Sequence, residues 1–386
     1  HWGYTVQTGT DGKEIVYGPA DPSNIWIKDG RYYMLTGNLL VLNRYGKELG
    51  QVEHQGDTAY LLVSDDLDRW EYLHPFYQSD RKWTHAGEDN MCPVFLPLPA
   101  RPEGGAPSDK HLLLFISHCD GCQYYVGRYE GDRFTPRSHG RMTWVDNAYF
   151  APEALVDDRG RLVMWAWLLD NPPQEVINAQ GWQGVYGLPR LLWLGEDGTL
   201  RMRPVDELKS LRQQELTWEN PAVPAAGEIA LDDRSVGLPP GGAGSPARES
   251  GAPFTSDQFE MELTLSPAQA VACGVNVCCS HDGRERTAIY YDADEQKLKL
   301  DTTNSSLGFG RKVIEAAPFE LAPHEPLHLR VFVDKSVVEV YANDRQAIAR
   351  RMYPTLDSRR VALYSRGPDL TVPKLTIWEL MPSNPF

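Results

Sequence analysis

Up to about residue 213 the chain repeats one pattern: a short apolar run, a turn rich in Gly, Asp or Asn, and a second short apolar run. Ser23–Ile27 and Arg31–Gly37 lie on either side of Lys28-Asp29-Gly30, and Thr58–Ser64 and Trp70–Leu73 on either side of the acidic turn Asp65–Asp68. His111–Ser117, Gln123–Tyr129 and Leu162–Leu168 continue the series. Each run has strand length and strand composition. No amphipathic helix of useful length separates them, which disfavours a parallel α/β sheet. Hairpin-rich sheets must protect their edges, and radial repetition in a β-propeller does so. At roughly 40–50 residues per four-stranded blade, this region holds about four blades.

The pattern changes after the short polar stretch Leu208–Gln214. Phe259–Leu265, Leu329–Val333, Val337–Tyr341 and Leu375–Leu380 alternate apolar and polar residues with period two. Such strands bury one face, as in a β-sandwich. Ser235–Pro253 is rich in Gly and Pro and reads as a loop inside this half. The predicted fold class is therefore all-β. A propeller over residues 1–213 is followed by a sandwich over 214–386.

Composition narrows the function. Two domains suit 386 residues, and 41% hydrophobic residues suffice for their cores. A net charge of −15 argues against nucleic acid as a partner. The apolar runs are of strand length, short of the roughly 18 residues of a membrane helix, so no membrane role is expected. Six cysteines are too few for a disulfide scaffold at this length. His118-Cys119-Asp120-Gly121-Cys122 contains half of a zinc-type pattern, but no second half follows at metal-site spacing, so no metal is expected. No phosphate loop, dinucleotide fingerprint or Ser-His-Asp pattern competes for the assignment, and no cofactor is expected. His1-Trp2-Gly3-Tyr4 shows neither an initiator Met nor a secretory signal and reads as a strand end. Upstream sequence is expected, and localisation is left open.

Several segments resemble glycoside hydrolase family 32, the fructan- and sucrose-cleaving enzymes. Asp21–Met34 resembles the family's Arg-Asp-Pro segment, and Ser64–Leu73 its Asp-Leu…Trp blade repeat. Glu88–Pro97 falls at its Glu-Cys-Pro segment. Tyr149–Glu153, Gly160–Trp167, Gly187–Arg190 and Leu329–Tyr341 follow in family order. The resemblance spans nearly the whole chain and implies a five-bladed propeller followed by a sandwich. It departs at three places. The family's nucleophile segment, Asn-Asp-Pro-Asn-Gly, does not occur; Ala20 replaces the usual Arg; and Met91 stands where the acid/base Glu belongs. A missing first blade is the expected cause. This chain alone would then form a homodimer, need a complementing N-terminal segment or be poorly soluble, because an opened propeller exposes two sheet edges.

The resemblance implies hydrolysis of β-fructofuranosidic bonds in sucrose, fructo-oligosaccharides or fructans by a retaining double displacement. Such chemistry needs two carboxyl groups roughly 5–5.5 Å apart. Asp21 is the candidate for the family's third carboxylate, which binds sugar hydroxyls. Its segment also fits the spacing of the nucleophile segment, and the plainer reading is an Asp-Pro turn. Glu88 is the acid/base candidate and Asp89 the fallback and substrate contact, with a bulge before Cys92 able to re-aim either. The plainer reading is a solvated acidic turn. Glu153 is a candidate substrate ligand, against a structural ion pair. Trp165 and Trp167 share a strand face, and Trp167 is the candidate to stack on sugar, against a core role. His118, Trp2 and Arg190 lie near motifs without a role. The alternative function is a non-catalytic carbohydrate-binding or remnant propeller, or one part of a complemented enzyme.

Overall fold

The computed structural model describes residues 5–8, 10, 12, 14–17, 21–38, 56–170, 172–231, 254–267, 270–367 and 370–383. Trp2, Ala20 and the Gly/Pro-rich stretch Ser235–Pro253 lie outside them. The chain divides into two compact units, one of residues 1–169 and 189–201, the other of 170–188 and 202–386.

The first unit begins with an antiparallel hairpin of β1 (Thr5–Thr8) and β2 (Glu14–Tyr17). Two four-stranded meanders follow. One comprises β3 (Trp26–Lys28), β4 (Arg31–Gly37), β5 (Ala59–Ser64) and β6 (Glu71–Tyr77). The other comprises β7 (Met91–Pro99), β8 (Pro107–Ser117), β9 (Gly121–Glu130) and β10 (Arg133–Arg141). A further sheet starts with β11 (Tyr149–Val156) and β12 (Leu162–Leu168). Residues 170–188, which group with the second unit, hold α1 (Gln174–Gln180) and β13 (Val185–Tyr186). The sheet then continues with β14 (Arg190–Leu194) and β15 (Leu200–Pro204).

Local chemistry explains these hairpins. Asp29 and Gly30 both take positive φ, 50° and 76°, in a two-residue turn that pairs Lys28 with Arg31. Left-handed conformations at both positions match the twist of the strands they join. In the next turn, Ser64 Oγ accepts the Leu67 N–H at 2.9 Å, and Asp66 Oδ1 accepts those of Asp68 and Arg69, each at 2.9 Å. Neighbouring sheets are stitched through side chains. Asn24 donates Nδ2 to the Phe95 carbonyl at 2.9 Å and accepts the Phe95 N–H at 2.8 Å. Gly37 is required where β4 meets the segment before β7, since a Cβ there would lie 1.7 Å from the Asn90 carbonyl oxygen. Tyr33, Leu35, Val63, Phe76, Phe95, Phe115 and Tyr125 form the buried core between the first two meanders.

The second unit contains two six-stranded antiparallel sheets. β16 (Arg212–Glu219) and β17 (Gly227–Ala230) open one sheet each. They are followed by β18 (Gln258–Leu265), β19 (Ala272–Cys279), β20 (Thr287–Asp292), β21 (Lys297–Asp301) and β22 (Ile314–Pro318). The last five strands are β23 (Leu327–Asp334), β24 (Val337–Ala342), β25 (Gln346–Arg351), β26 (Arg360–Arg366) and β27 (Lys374–Leu380). The sheet orders are β16-β27-β18-β23-β24-β25 and β17-β26-β19-β20-β21-β22. The period-two pattern has its expected effect: Phe259, Met261, Leu263 and Leu265 are all buried. Leu208–Gln214 is less of a break than its polarity suggests. It holds the end of a 3-10 turn over Asp206–Leu211 and the start of β16, which pairs with β27.

Candidate active site

Three of the first unit's segments carry the same backbone device. Asp21, Cys92 and Ala151 each precede a proline and take positive φ, at 44°, 46° and 46°. A non-glycine residue held there costs of order 1–3 kcal/mol, and such strain gathers where structure over-determines it. In β7 and β11 the pairing register slips at this point, between Met91 and Val94 and between Phe150 and Glu153. Before β3 the segment is pinned by the isolated bridge of Pro22 to Thr36. Proline cannot donate to a ladder, so the bulge places it where no donor is needed. Sequence reading expected one bulge before Cys92. The structure has it at Cys92 itself, repeated at Ala151.

These bulges bring side chains of different sheets together. Cys92 Sγ donates to Asp21 Oδ2 at 3.5 Å. Burial, then Asp21, then the charges of Glu153 and Asp89, push the Cys92 thiol up to about 12. Glu153, an exposed residue, has its carboxyl raised from its ordinary 4.5 by partial desolvation and then by the charge of Asp21. Asp21, Asp89 and Glu153, three of the residues singled out from sequence, therefore act electrostatically on one thiol.

Asp89 is fully buried, and so are Glu88 and Asn90, so the acidic pair after exposed Gly87 does not face solvent. One Asp89 oxygen accepts the His118 N–H at 2.8 Å and the other meets His118 Nδ1 at 2.6 Å. The bond to Asp89, followed by the charges of Asp89 and Asp21, raises the His118 imidazole against the opposing effect of burial. His118 packs edge-on to Phe150 with ring centroids 6.0 Å apart, and Phe150 to Trp167 at 6.3 Å. Trp167, partly exposed on β12, thus continues the aromatic wall beside the carboxylates. Trp165, on the same strand, pairs across to Glu153. His118 was not assigned a role from sequence, since its partner lies 29 positions away and only the β7–β8 register joins them.

Glu88 belongs to a different set of contacts. One oxygen accepts the His85 N–H at 3.1 Å and Arg141 Nη2 at 3.0 Å, and the other accepts Gln123 Nε2 at 2.6 Å. Gln123 in turn bonds His139 Nε2 at 2.8 Å. A buried carboxylate engaged on both oxygens, one of them by a guanidinium, is suited to holding a loop and badly placed to hand a proton to substrate. Met91, where the resemblance places the acid, is buried and apolar.

Among the described residues, His85, Cys119 and Asp120 bring ligand-type atoms within 4.8 Å of one another. The tautomer works against a metal. His85 Nδ1 accepts the Gly87 N–H at 3.1 Å, which puts the ring proton on Nε2, 3.4 Å from Asp120. A ligating Nε2 needs that proton on Nδ1. Arg141 also stands 4.0 Å from Asp120. The CxxC sulfurs diverge, Cys119 to Ser117 Oγ at 3.2 Å and buried Cys122 to Met142 Sδ at 3.7 Å. Arg190 is buried with its guanidinium 4.2 Å from the Tyr149 ring, a packing role.

The N-terminal domain of glycosyl hydrolases family 32 matches residues 19–204, and the family's C-terminal part matches 207–379. The chain belongs to this family. It is 26% identical over 347 residues to a levanase of Bacillus subtilis (strain 168), covering 84% of the chain and 47% of the relative. It is 27% identical over 407 residues to a fructan 1-exohydrolase of Bromus pictus, covering 93% and 64%. The chain thus spans less than two thirds of these relatives' length. Among solved structures, fructan 1-exohydrolase IIa from Cichorium intybus superposes with a TM-score of 0.75 at 16% identity, over 98% of this chain and 80% of that one. The fold is that of the family, a β-propeller followed by a β-sandwich, as the strand pattern predicted. Two four-stranded sheets, one five-stranded sheet and the β1–β2 hairpin are described in the propeller half.

Proposed function

We propose that the protein hydrolyses β-fructofuranosidic bonds in sucrose, fructo-oligosaccharides or fructans with retention at the anomeric carbon. The observation that carries this reading is the contact of Asp21 with Cys92 across two segments, together with Asp89 holding His118 against the Phe150–Trp167 wall. Carboxylates that accept from several hydroxyls, next to an aromatic face, suit a small polyhydroxylated ring. Relatives named for action on levan, sucrose and fructan support the substrate class.

In this reading Asp21 and Glu153 bind sugar hydroxyls, Trp167 stacks on the ring, and Glu88 positions the loop that carries Asp89. The family's Asn-Asp-Pro-Asn-Gly string itself does not occur in the chain, and the segment that fits its spacing is the one opened by Asp21. The test is fructose release by the full-length protein from sucrose, inulin and levan, with the anomeric configuration followed by NMR. Retained configuration and a loss of about 10²–10³-fold in Asp21→Asn are expected. Sugar binding without release overturns the reading.

A further inference from the structure

We propose that His118, oriented by Asp89, gives a proton to the glycosidic oxygen and later takes one back from water. This rests on the hydrolytic reading above. The retaining reaction needs a group that can do both, and the three positions considered from sequence are badly placed for it. Met91 has no proton to give, Glu88 has both oxygens engaged by Arg141, Gln123 and the His85 N–H, and Asp89 has both engaged by His118.

His118 has the geometry for this role. Asp89 holds its backbone N–H at 2.8 Å and Nδ1 at 2.6 Å, so the ring is fixed and Nε2 is the nitrogen left for substrate. Asn147 Nδ2 holds its carbonyl at 2.9 Å, and Phe150 covers one side of the ring. The side chain is still 45% exposed, while its partner carboxylate is fully buried. An imidazole held by a buried carboxylate stays in one tautomer and is stabilised when it becomes imidazolium. The charged groups acting on it, Asp89 before β7 and Asp21 before β3, are both negative and favour the protonated ring. A donor that titrates near the working pH is efficient in both directions.

In the first half of the reaction, the bond between the anomeric carbon and the glycosidic oxygen breaks. Its electron pair stays with the oxygen, which takes the proton from Nε2 and leaves as an alcohol. A carboxylate captures the anomeric carbon as an ester. In the second half water attacks that carbon, gives its proton to Nε2, and releases the carboxylate.

The test compares kcat/KM of the full-length protein and His118→Ala on sucrose and on nitrophenyl β-D-fructofuranoside, whose leaving group needs no proton. The variant is expected to lose about 10²–10⁴-fold on sucrose and far less on the aryl substrate. Added imidazole should recover part of the sucrose rate, and the alkaline limb of the pH profile should disappear. Should His118→Ala fail to fold, His118→Gln gives the same comparison. Equal losses on both substrates, with no response to imidazole, overturn the proton-transfer role and leave His118 a positioning residue. A wild-type protein that cleaves neither substrate overturns the hydrolytic reading itself, and this proposal with it.

Discussion

Cys92 Sγ stands 3.5 Å from Asp21 Oδ2, joining the opening segments of two sheets across 71 positions of sequence. The thiol works there as a neutral donor. Three carboxylates act on it, and a fourth negative charge in the same place would add like-charge repulsion.

That environment predicts an unreactive cysteine. Burial and the surrounding acids keep the Cys92 thiol protonated up to about 12, and the thiolate is the nucleophile. Exposed Cys119 should therefore alkylate first with iodoacetamide at mildly alkaline pH, and Cys92 only after denaturation. Peptide mass mapping of the native protein checks this. Labelling of Cys92 at the rate of Cys119 would contradict the packing described for it.

Glu88 should matter mainly for stability. It is 1% exposed and satisfies Arg141, so its removal leaves a partly buried guanidinium without that partner. Breaking such a pair costs about 3–5 kcal/mol. Glu88→Ala is expected to lower the unfolding free energy by that order, read in a urea titration as a lower midpoint. An unchanged midpoint together with a shifted pH profile would return Glu88 to the role of proton donor.

Strand content was legible in the sequence because alternation and turn residues are local. Arg31–Gly37 and Leu162–Leu168 form strands with the predicted bounds, and the Asp29-Gly30 hairpin follows from its residues alone. The Asp-Pro, Cys-Pro and Ala-Pro segments were visible as text. Their shared left-handed backbone was not, because positive φ before proline is imposed by the surrounding sheets. The acidic run Glu88-Asp89 reads as solvent-facing until its remote donors are placed. Arg141 and Gln123 come from β10 and β9, and His118 from the end of β8. Charge pairing across strands depends on register, and a single sequence carries register only weakly.

Asp57 gives the propeller half a distinctive response to pH. Its carboxyl is fully buried, with Thr84 Oγ1 donating at 2.7 Å and Tyr125 OH at 2.6 Å. Burial outweighs those bonds, and the ones from Ser79, and pushes the group above its ordinary 3.8. The folded state therefore holds a proton that the unfolded state releases. Stability from this group is complete below 3.8 and is lost as pH rises through the folded-state value. Thermal melts of wild type and Asp57→Asn across the acid range should diverge accordingly, the wild type falling more steeply as pH increases. Parallel curves would mean that Asp57 titrates normally.

In the sandwich Glu285 predicts the opposite slope. It is fully buried, yet its oxygens accept from Thr355 Oγ1 at 2.6 Å, Ser358 Oγ at 2.6 Å, and the N–H groups of Leu307 at 2.8 Å and Leu356 at 2.9 Å. Burial opposes ionisation, but the Ser358 and Thr355 hydroxyls and the backbone N–H groups outweigh it and hold the carboxyl at about 2. Here the unfolded state binds the proton first. The contribution is complete above the unfolded value of 4.5 and is lost as pH falls towards 2. A depression of that size corresponds to roughly 3 kcal/mol. Glu285→Gln should therefore lower the sandwich's unfolding midpoint near neutral pH, with a gap to wild type that narrows steadily on acidification. A gap that stays constant down to acid pH would show that the loss comes from packing rather than from the charge.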